Sequence, residues 1–374
     1  MDYKPLLDAI EARDMFGVFA NAFRQRDWNV VGQGWAGTRA KLDVELSKSD
    51  STQAFFADLK QVYLDNLLYA QKAVSVWAVG PELARDLIRA LPGLVDHDSP
   101  YRKTFPLPLP EGELSKGLRQ AVPTEVLEAD GRTVLVFGSK RTSTKEVQIP
   151  ADEVPQELAA AGYTELVAKI QTVRAAFDCI AVDPEGFVEM RIDHVRHASE
   201  RELLQYRETL RNRFNDVVRP VLGVFPLLDQ QPTNLFPALT SLYRGSGWVI
   251  QRLGHVNEGG YINANRGRFR TSDVREDDYH KAGEGAVDSL QVWSITAVFG
   301  SPAGHGRPVL ELDGHSKLLS SPQPHLDLAR FLDCACPEDY FLLLDTLRKC
   351  MAQPIAPASA ANDESNRSAL SETT

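Results

Sequence analysis

The sequence predicts an α+β fold in two domains, and three observations carry that expectation. Leu6, Leu7, Ile10, Met15, Phe16, Phe19 and Phe23 recur at spacings of three and four, the stripe of an amphipathic helix. Asp130-Gly131 stands between Val126-Leu127 and Val134-Leu135-Val136-Phe137, a strong antiparallel hairpin signal. Leu290 to Phe299, with Trp248 to Val256 before it, reads as long strands of a second sheet. The chain has 374 residues, about twice an ordinary domain. The expected division is therefore an N-terminal α+β domain over 1–219, with helices and a small antiparallel sheet. A C-terminal antiparallel sheet with flanking helices follows over 221–351, and then a flexible tail over 352–374.

The N-terminal elements follow in order. After the first helical stripe, Asn29 to Gly37 carries three glycines and reads as a loop. A helix begins near Asp50, with Gln53 three residues on as a capping box, and turns Phe55, Phe56, Leu59, Val62, Tyr63 and Leu67 inward. Ala73 to Val79 is a strand, and Pro81 opens a helix at its first position. Asp96 to Pro110 is proline-rich and predicts an extended connection. Beyond the hairpin, Lys140 to Lys145 reads as a polar loop. Leu158 to Ala176 reads as a helix burying Leu166, Val167, Ile170 and Val173. Strands at Phe177 to Val182 and Phe187 to Ile192 flank Pro184-Glu185-Gly186. Ser199 with Glu202 forms a capping box for a helix ended by Arg219-Pro220. Prolines 220, 226 and 232 then mark the domain boundary.

The C-terminal half begins with a helix from Leu235 to Tyr243. Strands Trp248 to Val256 and Tyr261 to Arg270 are joined by Asn257-Glu258-Gly259-Gly260. Strands Leu290 to Phe299 and Val309 to Leu312 follow, then helices near Leu326 to Leu332 and Pro337 to Met351. From Ala352 onward the chain is Ala, Ser, Asn, Pro and Thr with almost no apolar bulk, too little to offset its ordering entropy.

Composition narrows the function classes. Net charge is −10, from 41 basic and 51 acidic side chains, so indiscriminate binding to phosphate backbones is disfavoured unless basic residues cluster locally. No run approaches the roughly 20 apolar residues of a membrane span. The N-terminus lacks the pattern of a secretory signal. Cys179, Cys334, Cys336 and Cys350 are accordingly expected as reduced thiols in a cytoplasmic protein.

The motifs are sparse. There is no G-x-x-x-x-G-K-[ST], no strand-linked G-x-G-x-x-G and no G-x-S-x-G. Asp193-His194-x-x-His197 lacks the glutamate of a helical zinc site, and Cys334-x-Cys336 has no partner pair. Asp178 and Asp183 on one strand and Glu189 on the next form a candidate carboxylate set for Mg or Mn. Glu189-Met190-Arg191 has an arginine where metal-dependent nucleases place a lysine, and arginine cannot act as a base. Cys179 sits among Ile180, Ala181 and Val182, as a small buried hydrophobe would.

Two basic clusters remain. Lys140-Arg141 falls in the predicted polar loop. Arg266, Arg268 and Arg270 share one face if the strand runs to Arg270, with Arg252 on its hairpin partner and aromatic residues interleaved. Such a surface can hold phosphates while stacking bases; otherwise Asp273, Glu276, Asp277 and Asp278 would pair with it internally. The leading expectation is a non-catalytic binding or assembly protein that contacts nucleic acid through this hairpin and needs no cofactor. A metal-dependent hydrolase using Asp178, Asp183 and Glu189 is the alternative, and a protein-binding subunit of a larger complex is the third.

Overall fold

The computed structural model describes residues 3–48, 52–116, 120–150, 153–161, 166–193 and 198–352. Four helices open the chain, α1 (Lys4–Ala12), α2 (Phe16–Gln25), α3 (Gly34–Ser47) and α4 (Thr52–Tyr69), and lead to β1 (Lys72–Ala78). Then come α5 (Pro81–Ala90), α6 (Pro100–Thr104), α7 (Glu111–Lys116), β2 (Val122–Ala129), β3 (Arg132–Ile149) and α8 (Gln156–Ala160). The long β4 (Leu166–Asp183), β5 (Phe187–Asp193) and α9 (Glu200–Leu222) follow. The remainder is α10 (Ala238–Arg244), β6 (Trp248–Asn257), β7 (Ile262–Arg266), α11 (Asp278–Gly285), β8 (Leu290–Phe299), β9 (Val309–Asp313), β10 (Ala329–Leu332) and α12 (Pro337–Ala352). The fold is α+β. No helix among the described residues is long and apolar enough to cross a membrane.

Two compact units result. One comprises 1–16 and 30–232, the other 17–29 and 233–374. The division after Pro232 leaves α2 with the second unit, where Gln25 Nε2 donates to the His305 carbonyl at 2.5 Å.

The first unit holds strands in the order β2-β3-β4-β5-β1, each neighbouring pair antiparallel. Its core gathers Val74, Trp77, Phe137, Ile180, Met190 and Phe214, all buried. The β2–β3 turn is as expected: Asp130 and Gly131 adopt φ of 52° and 73°, the left-handed pair a two-residue hairpin requires. The capping box on α9 forms too, with Glu202 N donating to Ser199 Oγ and Ser199 N to Glu202 Oε2.

Several expectations need correction. The first helical stripe is broken into α1 and α2, with Asp14 at φ 52° between them. The loop expected over Asn29 to Gly37 gives way to α3 at Gly34, and the proline-rich connection contains α6. Lys140 to Lys145 is no loop but the middle of β3. Leu166 to Ala176 is strand rather than helix, because β3 and β4 pair continuously from Thr133↔Val182 to Ile149↔Leu166. Val167 and Val173, expected inside, are 51% and 40% exposed on this ribbon. Pro220 lies inside α9, which ends two residues later at Leu222, capped by Gly223 at φ 72°. The described residues stop at Ala352, so the expected tail lies outside them, as do Asp50 and His194 to His197.

Gly186, at φ 105° in the β4–β5 turn, accepts from Val79 N and Gly80 N at 2.9 and 3.1 Å. A Cβ there would stand 2.6 Å from the Gly80 carbonyl carbon. Gly186→Ala is therefore expected to cost about 1–3 kcal/mol, read as a lower urea midpoint. An unchanged midpoint would show that the turn relaxes freely.

The second unit holds strands in the order β10-β9-β8-β6-β7, again antiparallel. Leu239, Ile250, Ile295, Leu310, Phe331 and Tyr340 form its core. Ala329 to Leu332 is strand β10 where a helix was expected over Leu326 to Leu332. Leu326, Leu328 and Phe331 are buried there, and Arg330 pairs with Glu311 of β9. Strand β7 is shorter than expected and stops at Arg266.

Candidate functional site: a basic hairpin and a buried ionic network

The carboxylate set does not converge. Asp178 and Asp183 are five residues apart on an unbroken strand, and a period of two sends them to opposite faces. Each acid is already held by guanidinium groups. Arg141 Nη2 lies 2.6 Å from both oxygens of Asp178, and Asp193 N donates to the same carboxylate at 2.7 Å. Arg132 reaches Asp183 at 3.2 Å and Glu189 at 3.1 Å, and Arg191 meets Glu189 at 2.7 Å. Glu189 and Arg191 are both wholly buried. Among the described residues, no group of three His, Cys, Asp or Glu side chains is arranged to hold a metal ion. Both oxygens of each acid are already engaged, by arginines and, for Asp178 and Asp183, by a backbone N–H as well.

Asp193, which the sequence had offered only beside the two histidines, is the centre of this network. Arg13 grips it with Nη1 at 2.7 Å and Nη2 at 2.9 Å, Lys72 Nζ adds a contact at 3.2 Å, and Phe177 N donates at 3.2 Å. Burial would raise its pKa, but Arg13 and Lys72 outweigh that and hold it well below the usual carboxylate range. Lys72 moves the other way. Burial lowers its pKa, because one shared carboxylate does not offset the loss of water around the ammonium. Burial likewise lowers Arg174, opposite Arg141 in the β3–β4 register, to about 10. Cys179 is buried beside these groups, and burial pushes its thiol up to about 11, so it is no ready nucleophile. Burial also raises Cys334 and Cys336; all four cysteines are free and buried.

The basic residues split between inside and outside. Arg141 is buried in its pair with Asp178 and stacks 4.2 Å over the Tyr206 ring, so it does not face solvent. Lys140 Nζ donates to the Ser115 carbonyl at 2.8 Å. The hairpin arginines differ. Arg252 on β6 stands directly opposite Arg266 on β7, both exposed. Arg268 and Arg270 lie beyond the strand end, so the alternation that would put them on one face with Arg266 does not operate. Arg270 instead pairs with Asp333, and Arg268 lies 5.4 Å over the Phe269 ring.

The acids expected to cancel these charges are engaged elsewhere. Asp273 caps a turn and pairs with Arg275 at 2.7 Å, Glu276 takes Lys281 at 2.9 Å, and Asp277 caps α11 through His280 N at 3.0 Å. Among the described residues, no carboxylate forms an ion pair with Arg252, Arg266 or Arg268. Apolar and aromatic side chains of the same segment are uncovered: Tyr261 at the turn is 73% exposed, Ile262 and Phe269 62% each. The turn that presents Tyr261 is fixed by Asn257, whose Oδ1 accepts from Tyr261 N at 3.0 Å.

One group escaped the sequence altogether. Tyr243 on α10, His255 on β6, His280 on α11 and Asn265 on β7 meet inside the second unit. Tyr243 Oη lies 2.9 Å from His280 Nε2, and Asn265 Nδ2 lies 3.3 Å from His280 Nδ1. Neither the protein-family models nor the curated proteins compared with this chain give a match.

Proposed function

We propose that this chain is a binding protein that holds single-stranded nucleic acid along the β6–β7 hairpin without catalysing a reaction on it. The observation that carries this reading is the pairing of Arg252 with Arg266, both exposed and in no ion pair among the described residues, on a segment that also leaves Tyr261 and Phe269 uncovered. Guanidinium groups meet phosphates, and aromatic faces accept stacked bases whatever their sequence. Two like charges facing each other across a ladder are unfavourable unless an anion joins them. The net charge of −10 confines such binding to this patch.

The test is an electrophoretic shift with short single- and double-stranded DNA and RNA at low salt. Binding should weaken steeply with salt and favour single strands. Replacing Arg252, Arg266 and Arg268 together with alanine should flatten the log–log salt slope by about 2, on a release of roughly 0.7 ions per phosphate contact. The melting temperature should hardly move, since exposed arginines contribute little to stability. No shift with any of the four nucleic acids at micromolar protein would remove the reading and leave a protein partner on this edge.

A further inference from the structure

We propose that the first unit carries a binding site for a phosphate group, centred on Arg174 of β4. Arg174 stands directly opposite Arg141 of β3, and cross-strand partners project to the same face of a sheet. Two guanidinium groups therefore meet, and the nearby carboxylates are already occupied. Asp178 gives both its oxygens to Arg141 Nη2, at 2.6 Å each, and accepts from Asp193 N as well. Arg141 Nη1 donates to the Asp193 carbonyl, and the guanidinium lies over the Tyr206 ring. The Asp193 carboxylate is taken by Arg13, Lys72 and Phe177 N.

Arg174 is left over. Its Nε and Nη2 are sealed from solvent and have no hydrogen-bond partner among the described residues. The wholly buried Arg191, by contrast, has Glu189 at 2.7 Å. Burial lowers the Arg174 pKa to about 10, still well above neutrality, so the group keeps its charge. An unpaired charge in such a position is costly unless an anion joins it.

The two bare atoms define the ligand. Nε–H and the Nη2–H beside it form the side-on fork of a guanidinium, two parallel donors spaced for two oxygens of one oxyanion. In this network four cationic side chains, Arg13, Lys72, Arg141 and Arg174, stand against two carboxylates, Asp178 and Asp193. A phosphate group brings about 1.5–2 negative charges and three strong acceptor oxygens, enough to take the fork and offset the surplus. A monocarboxylate offers two oxygens with less charge and should bind less tightly. Arg174 as a whole is only half-buried, so a small solute reaches the fork from the surface.

The test is calorimetric titration of the full chain with inorganic phosphate, glycerol phosphate and acetate at neutral pH and constant ionic strength. Inorganic phosphate should bind saturably and at least about tenfold more tightly than acetate. Binding of glycerol phosphate as well would assign the site to a phosphomonoester, and its exclusion to the free ion. Arg174→Met should weaken phosphate binding at least about tenfold. In phosphate-free buffer that variant should melt no lower than the wild type, since an unpaired charge is gone. Arg174→Lys keeps a charge without the fork and should also bind less tightly. Joint replacement of Arg252, Arg266 and Arg268 with alanine should leave phosphate affinity unchanged, because the site is independent of the hairpin. No saturable phosphate binding, equal affinity for acetate, unchanged affinity in Arg174→Met or Arg174→Lys, an Arg174→Met protein that melts well below the wild type, or binding lost with the hairpin arginines would each overturn the proposal.

Discussion

Asp193→Asn is expected to cost about 3–5 kcal/mol, because it leaves Arg13 and Lys72 buried without a counter-charge. The wild-type carboxylate is wholly buried and satisfied by Arg13, Lys72 and a backbone N–H, so no water can replace it. Its pKa is depressed in the fold, whereas an unfolded aspartate titrates near about 3.9. The stabilisation is therefore present above that value and is lost as pH falls from about 5 toward 2. Urea midpoints measured across that window should fall steeply for the wild type and more gently for Asp193→Asn. Parallel slopes would show that Asp193 is not the group whose protonation unlocks the first unit.

Glu189→Gln separates a structural role from a catalytic one. Glu189 joins Arg132 and Arg191, and Arg191 is fully buried with its guanidinium 5.2 Å over the Tyr69 ring. Removing the charge should cost about 3–5 kcal/mol, a fall of roughly ten degrees in melting temperature for a unit of this size. Replacing Glu189 with Leu and Arg191 with Met together should recover much of that loss, since no unpaired charge then remains. A metal-dependent hydrolase would instead keep its fold in Glu189→Gln and lose only cleavage. A variant that melts within a degree of the wild type would remove the structural role.

Legibility followed the range of the interactions. The Asp130-Gly131 turn and the Ser199 capping box were legible because each is decided within four residues, by φ > 0 or by one side-chain oxygen. Leu166 to Ala176 misled because Leu166, Val167, Ile170 and Val173 fall at helical spacing on a two-stranded ribbon that leaves Val167 and Val173 half exposed. With little burial to select a face, apolar period says little about backbone state. The opposite orientation of Asp178 and Asp183 followed from their odd spacing on one strand, a signal the sequence did contain. The meeting of Tyr243, His255, Asn265 and His280 had no such signal, since it draws on separate elements.

The sequence by itself determined the α+β class, the Asp130-Gly131 hairpin turn, the Ser199 helix cap and the number of arginines near 252 to 270. Only the tertiary structure decided which of those arginines enter an ion pair among the described residues. Arg270 meets Asp333 across 63 residues and Arg13 meets Asp193 across 180, while Arg252 and Arg266 face each other with no ion pair among the described residues. Charge pairing falls off with distance in space and desolvation depends on burial. Strand register and packing set both, and neither is a property of neighbouring residues in the chain.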